Sequence, residues 1–272
     1  MKTSRQNIFV ILLAAVLFIS LSCGNSQKEI RLVFQYKVGA VNVYEKTIKS
    51  LFKHYENGQL VQNSDNLRES RTREEILDLT ADGDAHLRLT ETMKADSSDS
   101  LCSTSSLEYI SKTNGAVEKI LQTDSLNPDV LEFYTNYCEQ SMPVFPDTLI
   151  TEGFSWKQTI NLLIADSGKT TAETVYRVHS LVRENGRDCA VIEYSGNLII
   201  PFRKIDSDSS LTIVLEHIKS NGVLYFDYRD GLIVSQRETM EFNSEGTKIK
   251  NGISSELKMT GHISNSLQLV SQ

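Results

Sequence analysis

Asp227 and Asp230 stand three residues apart beside Gly231, a spacing at which two carboxylates could divide acid and base duties. An Asp before a Gly is also what a tight hairpin turn asks for, and that explains Asp230 without chemistry. Asp96-x-x-Asp99 and Asp206-x-Asp208 offer oxygen ligands suited to a hard cation. They lack the Gly-containing loop and closing Glu of an EF-hand, and they read as solvated loops. The histidines, His54, His86, His179, His217 and His262, are scattered singly. Cys102, Cys138 and Cys189 are too far apart in sequence to resemble a zinc site. No Gly-x-Ser-x-Gly elbow, His-Glu-x-x-His, phosphate-binding loop or dinucleotide fingerprint occurs. No catalytic residue, metal site or cofactor is expected, and no enzyme. Trp156, the sole tryptophan, lies two residues beyond Phe154 where the chain returns to β structure. It either seals the edge of a core or forms the aromatic wall of a ligand groove.

The first residues carry a different chemistry. Lys2 and Arg5 precede twelve uninterrupted apolar residues, Ile8 to Ile19, and then Ser20-Leu21-Ser22-Cys23-Gly24. That is the charged, apolar, small-residue order of an export signal, with an apolar run too short to span a bilayer. A cysteine directly after a small residue at the cut resembles a bacterial lipoprotein signal. The resemblance implies that residues 1–22 are removed and that the Cys23 thiol carries palmitate-type acyl chains as the first mature residue. This sequence departs from the usual pattern in having Ser20 three residues before the cysteine. The expected location is the cell envelope: lipid-anchored, at the outer membrane, facing the periplasm or the cell surface. In that oxidising setting Cys102 and Cys138 are the disulfide candidates, one in a Ser-rich loop and the other on a predicted helix. Cys189, within Cys189-Ala190-Val191-Ile192, reads as a buried core thiol.

The whole chain has a net charge of −7; removing residues 1–22 leaves 26 basic against 35 acidic residues, a net −9. A chain this acidic, with no basic cluster, does not suit nucleic acid or docking on anionic lipid. The membrane is therefore expected as a partner only through the N-terminal lipid.

Turn signals dominate the chain after residue 28. Asn-Gly occurs at 57–58, 114–115, 185–186, 221–222 and 251–252, and Asp-Gly at 82–83 and 230–231. These dipeptides tolerate the positive φ angles of hairpin turns, so they predict a long antiparallel meander. Residues 30–38 alternate, with Ile30, Leu32, Phe34, Tyr36 and Val38 on one face, and read as a strand. Residues 41–55 are ambiguous: Val41, Tyr44, Ile48, Leu51, Phe52 and Tyr55 fall at the spacing of a helix stopped by Asn57-Gly58, while the strand at 30–38 ends at Gly39 and wants an adjacent partner, which favours a strand. Leu211–Ile218 and Val223–Tyr228 read as two strands around Asn221-Gly222. One helix is expected at 128–141, with Asn127 as N-cap and Pro128 in the first turn. The fold class is thus mainly β (α+β), a curved sheet or half-barrel. Residues 23–29 form a lipidated tether, and 30–265 one β-rich domain, with a faint repeat of 30–125 in 150–265.

The lipoprotein signal, the meander with its hairpins and one interrupting helix resemble the Lol-type and LppX-type lipoprotein carriers of bacterial envelopes. Pro146…Gly153-Phe154-Ser155-Trp156 and Tyr225-Phe226-Asp227-x-x-Asp230-Gly231 are similar to envelope lipoproteins grouped near that fold. The resemblance implies a curved sheet enclosing an apolar cavity for acyl chains, and Phe34, Tyr36, Trp156, Tyr225 and Phe226 are the candidate ligand contacts. The competing expectation is a structural or protein-interaction module of the envelope, with a filled interior and an apolar patch outside.

Overall fold

A computed structural model of the protein describes residues 28–94, 104–123, 142–164, 168–205 and 209–272. Cys23, Cys102, Cys138, the Asp96/Asp99 and Asp206/Asp208 pairs and the predicted helix 128–141 lie outside the described residues.

The described chain is antiparallel β structure throughout: β1 (Val41–Glu56), β2 (Gln59–Leu79), β3 (Ala85–Met93), β4 (Thr104–Ser111), β5 (Val117–Thr123), β6 (Ser155–Ile164), β7 (Gly168–Glu184), β8 (Arg187–Ile205), β9 (Leu211–Asp227), β10 (Leu232–Lys250) and β11 (Ile253–Ser271). They form one open sheet in the order β5-β4-β3-β2-β1-β11-β10-β9-β8-β7-β6. Sequence neighbours pair as in a meander, and the first and last strands join the two halves, with Phe52 opposite Gly261. Residues 41–56 are strand despite the helical spacing, and their partners are β2 and β11, not residues 30–38. Three turns have both central residues at positive φ, as type I′ geometry requires: Asn57-Gly58, Asn185-Gly186 and Asn251-Gly252.

Two expectations are corrected. Asn221-Gly222 is no turn, because β9 runs straight through it. Gly222 is there for space: a Cβ would sit 2.2 Å from Tyr194 Cζ, whose ring lies over this spot from the neighbouring strand. Residues 30–38 are extended but join no ladder beyond a bridge between Ile30 and Ile150. Their alternation is real, since Ile30, Leu32 and Phe34 are buried, but their backbone groups bond to turns. Phe34 N donates to Thr113 O (2.7 Å) and Gln35 N to Gly231 O (3.1 Å). A period of two reports which face is buried and is silent on whether a strand lies alongside.

The main core lies at the end of the sheet where β1 begins and β11 ends. Ile30, Leu32, Phe34, Phe145 and Ile150 pack on Val178, Ile192, Leu224 and Phe226. A second cluster of Ile76, Leu87, Leu107 and Tyr109 lies on β2–β4, and Tyr36 packs against both.

Candidate functional site

Residues 30–36 and 142–154 make a floor across this end of the sheet. Residues 142–154 connect its two arms: Phe145 N donates to Asn114 O beside β4 (2.8 Å), while Val178 N of β7 donates to Phe154 O (2.9 Å). An aromatic cluster fills the floor. Phe145 meets Phe34 at 5.3 Å and Phe226 at 4.6 Å between ring centroids, and Trp156 stacks on Tyr176 at 5.0 Å and 11°. Trp156 Nε1 donates to Val144 O at 3.0 Å, giving the indole its polar partner.

Above the floor, one face of the sheet lines a single cavity of about 560 Å³, with contributions from β1–β4 and β6–β11. Its apolar lining includes Tyr44, Ile48, Ile160, Tyr176, Leu224, Met240, Phe242, Ile263 and Leu267. Lining residues come from strands far apart in the sheet order, so this face is concave. Gly261, opposite both Phe52 and Phe242, leaves room for their ring contact (5.5 Å between centroids): a Cβ there would lie 2.4 Å from Phe52 Cδ1.

Polar groups interrupt the wall at defined places. Asn42 and Glu74 are opposite one another on β1 and β2, and Asn42 Nδ2 donates to Glu74 Oε1 at 2.9 Å. Burial pushes the Glu74 carboxyl up, and the bond from Asn42 opposes the shift. Glu91 accepts from Ser70 Oγ (2.6 Å) and lies 3.7 Å from Lys46 Nζ. Glu238 faces Asn265 from β10 to β11; burial raises its carboxyl too, against a hydrogen bond from Asn265. Gln236 Nε2 donates to Tyr194 OH at 2.6 Å. Asn42 Oδ1 and Asn265 Oδ1 are buried with no hydrogen-bond partner among the described residues. A buried acceptor left this way ordinarily costs ~1–3 kcal/mol.

Of the five candidate contacts, Phe34 and Tyr36 line the cavity. Phe226 lies in the core beneath them, and Trp156 packs against that core behind Tyr176. Tyr225 packs with Leu232, Val234 and Cys189 in a separate cluster. Cys189 is fully buried, and burial together with the Asp227 carboxylate pushes its thiol up to about 11. Asp227 and Asp230 converge on Arg187 at 3.1 and 2.9 Å, and Asp227 Oδ1 also accepts from Arg229 N and Asp230 N. This is a turn lock. His86 pairs with Glu108 (2.9 Å) and His179 with Glu193 (3.3 Å), so each meets a carboxylate and not another histidine. No group of metal-binding side chains occurs among the described residues. Sequence reasoning missed Asn42, Tyr44, Glu74 and Glu238. The even-numbered run Asn42-Tyr44-Lys46-Ile48 was the available signal, obscured by the helical reading of the same stretch.

No family model and no curated protein matches the sequence. Among solved structures the chain is similar to the crystal structure of Pseudomonas aeruginosa OpdQ, at 7% identity, over 85% of this chain and 98% of that chain, with a TM-score of 0.23. A likeness this faint carries no argument about fold or function. No helix among the described residues is long and apolar enough to cross a membrane, which leaves strand-based crossing unaddressed.

Proposed function

We propose that this protein is an envelope lipoprotein, anchored through acylated Cys23, that holds an acyl chain or similar apolar ligand in a half-barrel. The observation that carries the reading is the cavity of about 560 Å³ on the concave face. Ligand pockets span ~300–1,000 Å³ and are mostly apolar with a few placed polar groups, a description this one fits. The short tether adds a position. Ile30 bridges Ile150 in the floor and lies only seven positions after Cys23, ~25 Å at full extension. A tether this short would keep the domain against the membrane, as in a fixed receiver and unlike a free shuttle.

Mass spectrometry of the purified protein tests this. A stoichiometric lipid that survives detergent exchange is the expected result. A clean spectrum, together with no uptake of an apolar fluorophore, would rule the reading out. Membrane fractionation of Cys23→Ser tests the anchor.

One observation favours a second reading, a protein-interaction module. Ile199, Ile213 and Leu215 lie close together on the outer face of β8 and β9, each more than 40% exposed. In-cell crosslinking from this patch to one dominant envelope protein would support it.

A further inference from the structure

The polar groups in the cavity are unevenly distributed between donors and acceptors. Asn42 is only 7% exposed and lines the cavity; its amide nitrogen is committed to Glu74, which turns Oδ1 the other way, and that oxygen has no partner among the described residues. Glu74 beside it is acceptor-only when ionised. The pair sits against apolar and aromatic surface, with Leu89 opposite Glu74 and Tyr44 next along β1, near the floor end of the cavity. Three further features agree. Glu91 and Glu238 also line the wall, Lys46 is already engaged by Glu91, and Asn265 Oδ1 repeats the unpartnered acceptor beside Glu238.

We infer that the occupant is a single-chain amphiphile with an ammonium head, seated on Asn42 and Glu74 with its chain running up the apolar wall; the inference rests on the ligand-binding reading above. An ammonium has three donors and no acceptor, so it can satisfy Asn42 Oδ1 and the Glu74 carboxylate together. A positive charge beside a desolvated carboxylate gains far more than it would in water. A fatty-acid carboxylate in the same place would face Glu74 with like charge and leave Oδ1 unpaired.

The test uses the whole mature chain, 23–272, carrying Cys23→Ser so that no detergent competes for the cavity. Hexadecylamine, hexadecanol and hexadecanoate share one chain and differ in head, and each is titrated against a bound apolar fluorophore at neutral pH. The amine is expected to displace the probe at a concentration about tenfold below that of the acid, the scale of a charge-assisted hydrogen bond. Glu74→Gln should remove the amine's advantage over the alcohol, and an unchanged far-UV circular dichroism spectrum with a cooperative thermal transition shows that the variant is folded. Asn42→Ala is the second variant, expected to weaken the amine more than the alcohol. Equal or tighter binding of the acid overturns the inference, as does an alcohol that matches the amine on the parent chain, or a preference that survives Glu74→Gln. If only the acid binds, the carrier reading stands and this inference alone is lost; if none of the three binds, both fall.

Discussion

One nitrogen of Arg187 donates to both Asp227 and Asp230, and Asp227, 2% exposed, is the buried end of that contact. The arrangement ties the start of β8 to the β9–β10 turn, and the other nitrogen reaches Gln272 Oε1 at 3.1 Å. The two aspartates that looked like an acid–base pair are therefore counter-ions to one arginine and acceptors for one turn. Asp227→Ala leaves Arg187 half-paired and two turn N–H groups without their acceptor, and should cost about 3 kcal/mol in urea unfolding. Asp230→Ala, at a half-exposed position, should cost under ~1 kcal/mol. Equal losses for the two variants would contradict the assignment of the lock to Asp227.

Gly115, in the turn between β4 and β5, packs against the floor. Its φ is +92°, and a Cβ there would lie 2.4 Å from Pro143 O and 2.7 Å from Phe34 Cε2. Gly58, at φ +78°, has open space around it. Gly58→Ala should therefore show only the left-handed backbone penalty of about 1 kcal/mol. Gly115→Ala adds a backbone clash and should cost ~2–4 kcal/mol, with the floor loosened. Limited proteolysis within 142–154, faster in the second variant alone, is the structural readout.

Burial raises the carboxyl groups of Glu74, Glu216 and Glu238 on the concave face. An acid whose folded pKa exceeds its unfolded value binds more protons when folded, so its contribution weakens stability as pH climbs from the unfolded value to the folded one. Glu108 acts in the opposite sense: the bond from Arg88 comes first among the causes that hold its carboxyl low, and its contribution is lost as acidification passes through that lowered value. The unliganded protein should thus gain thermal stability as pH falls from the raised values of these carboxyls toward the ordinary glutamate range, and lose it on further acidification. Replacing Glu74, Glu216 and Glu238 together with Gln should flatten the upper slope. A slope that persists in the triple variant would place the titrating groups elsewhere.

Cys189 has a buried thiol with its pKa raised to about 11, so thiolate is scarce and access is closed. Peptide-level mass spectrometry after iodoacetamide treatment should find Cys189 unmodified in the folded protein and modified in urea. Modification under native conditions would mean that the cluster with Leu232 and Val234 opens readily.

What the sequence determined by itself was local. Asn57-Gly58, Asn185-Gly186 and Asn251-Gly252 are hairpins because few other dipeptides reach two positive φ angles at low cost. Cys189-Ala190-Val191-Ile192 is core because an unbroken apolar run leaves no polar face to solvate. Tertiary structure decided the rest. Asn221-Gly222 has the same composition as a turn, and only the Tyr194 ring above it shows that the glycine was needed for room. Residues 30–36 carry a strand's alternation, yet they cross the sheet's end, where Phe34 N bonds to Thr113 O and Gln35 N to Gly231 O, partners that lie in turns distant in sequence. The acceptor pair on the cavity wall was hidden for a related reason. Asn42 and Glu74 are thirty-two residues apart, and only β1–β2 register places them opposite one another. A glutamate in a strand looks solvent-facing in sequence; the curvature of the whole sheet turned this one inward and left it half-buried on the cavity wall.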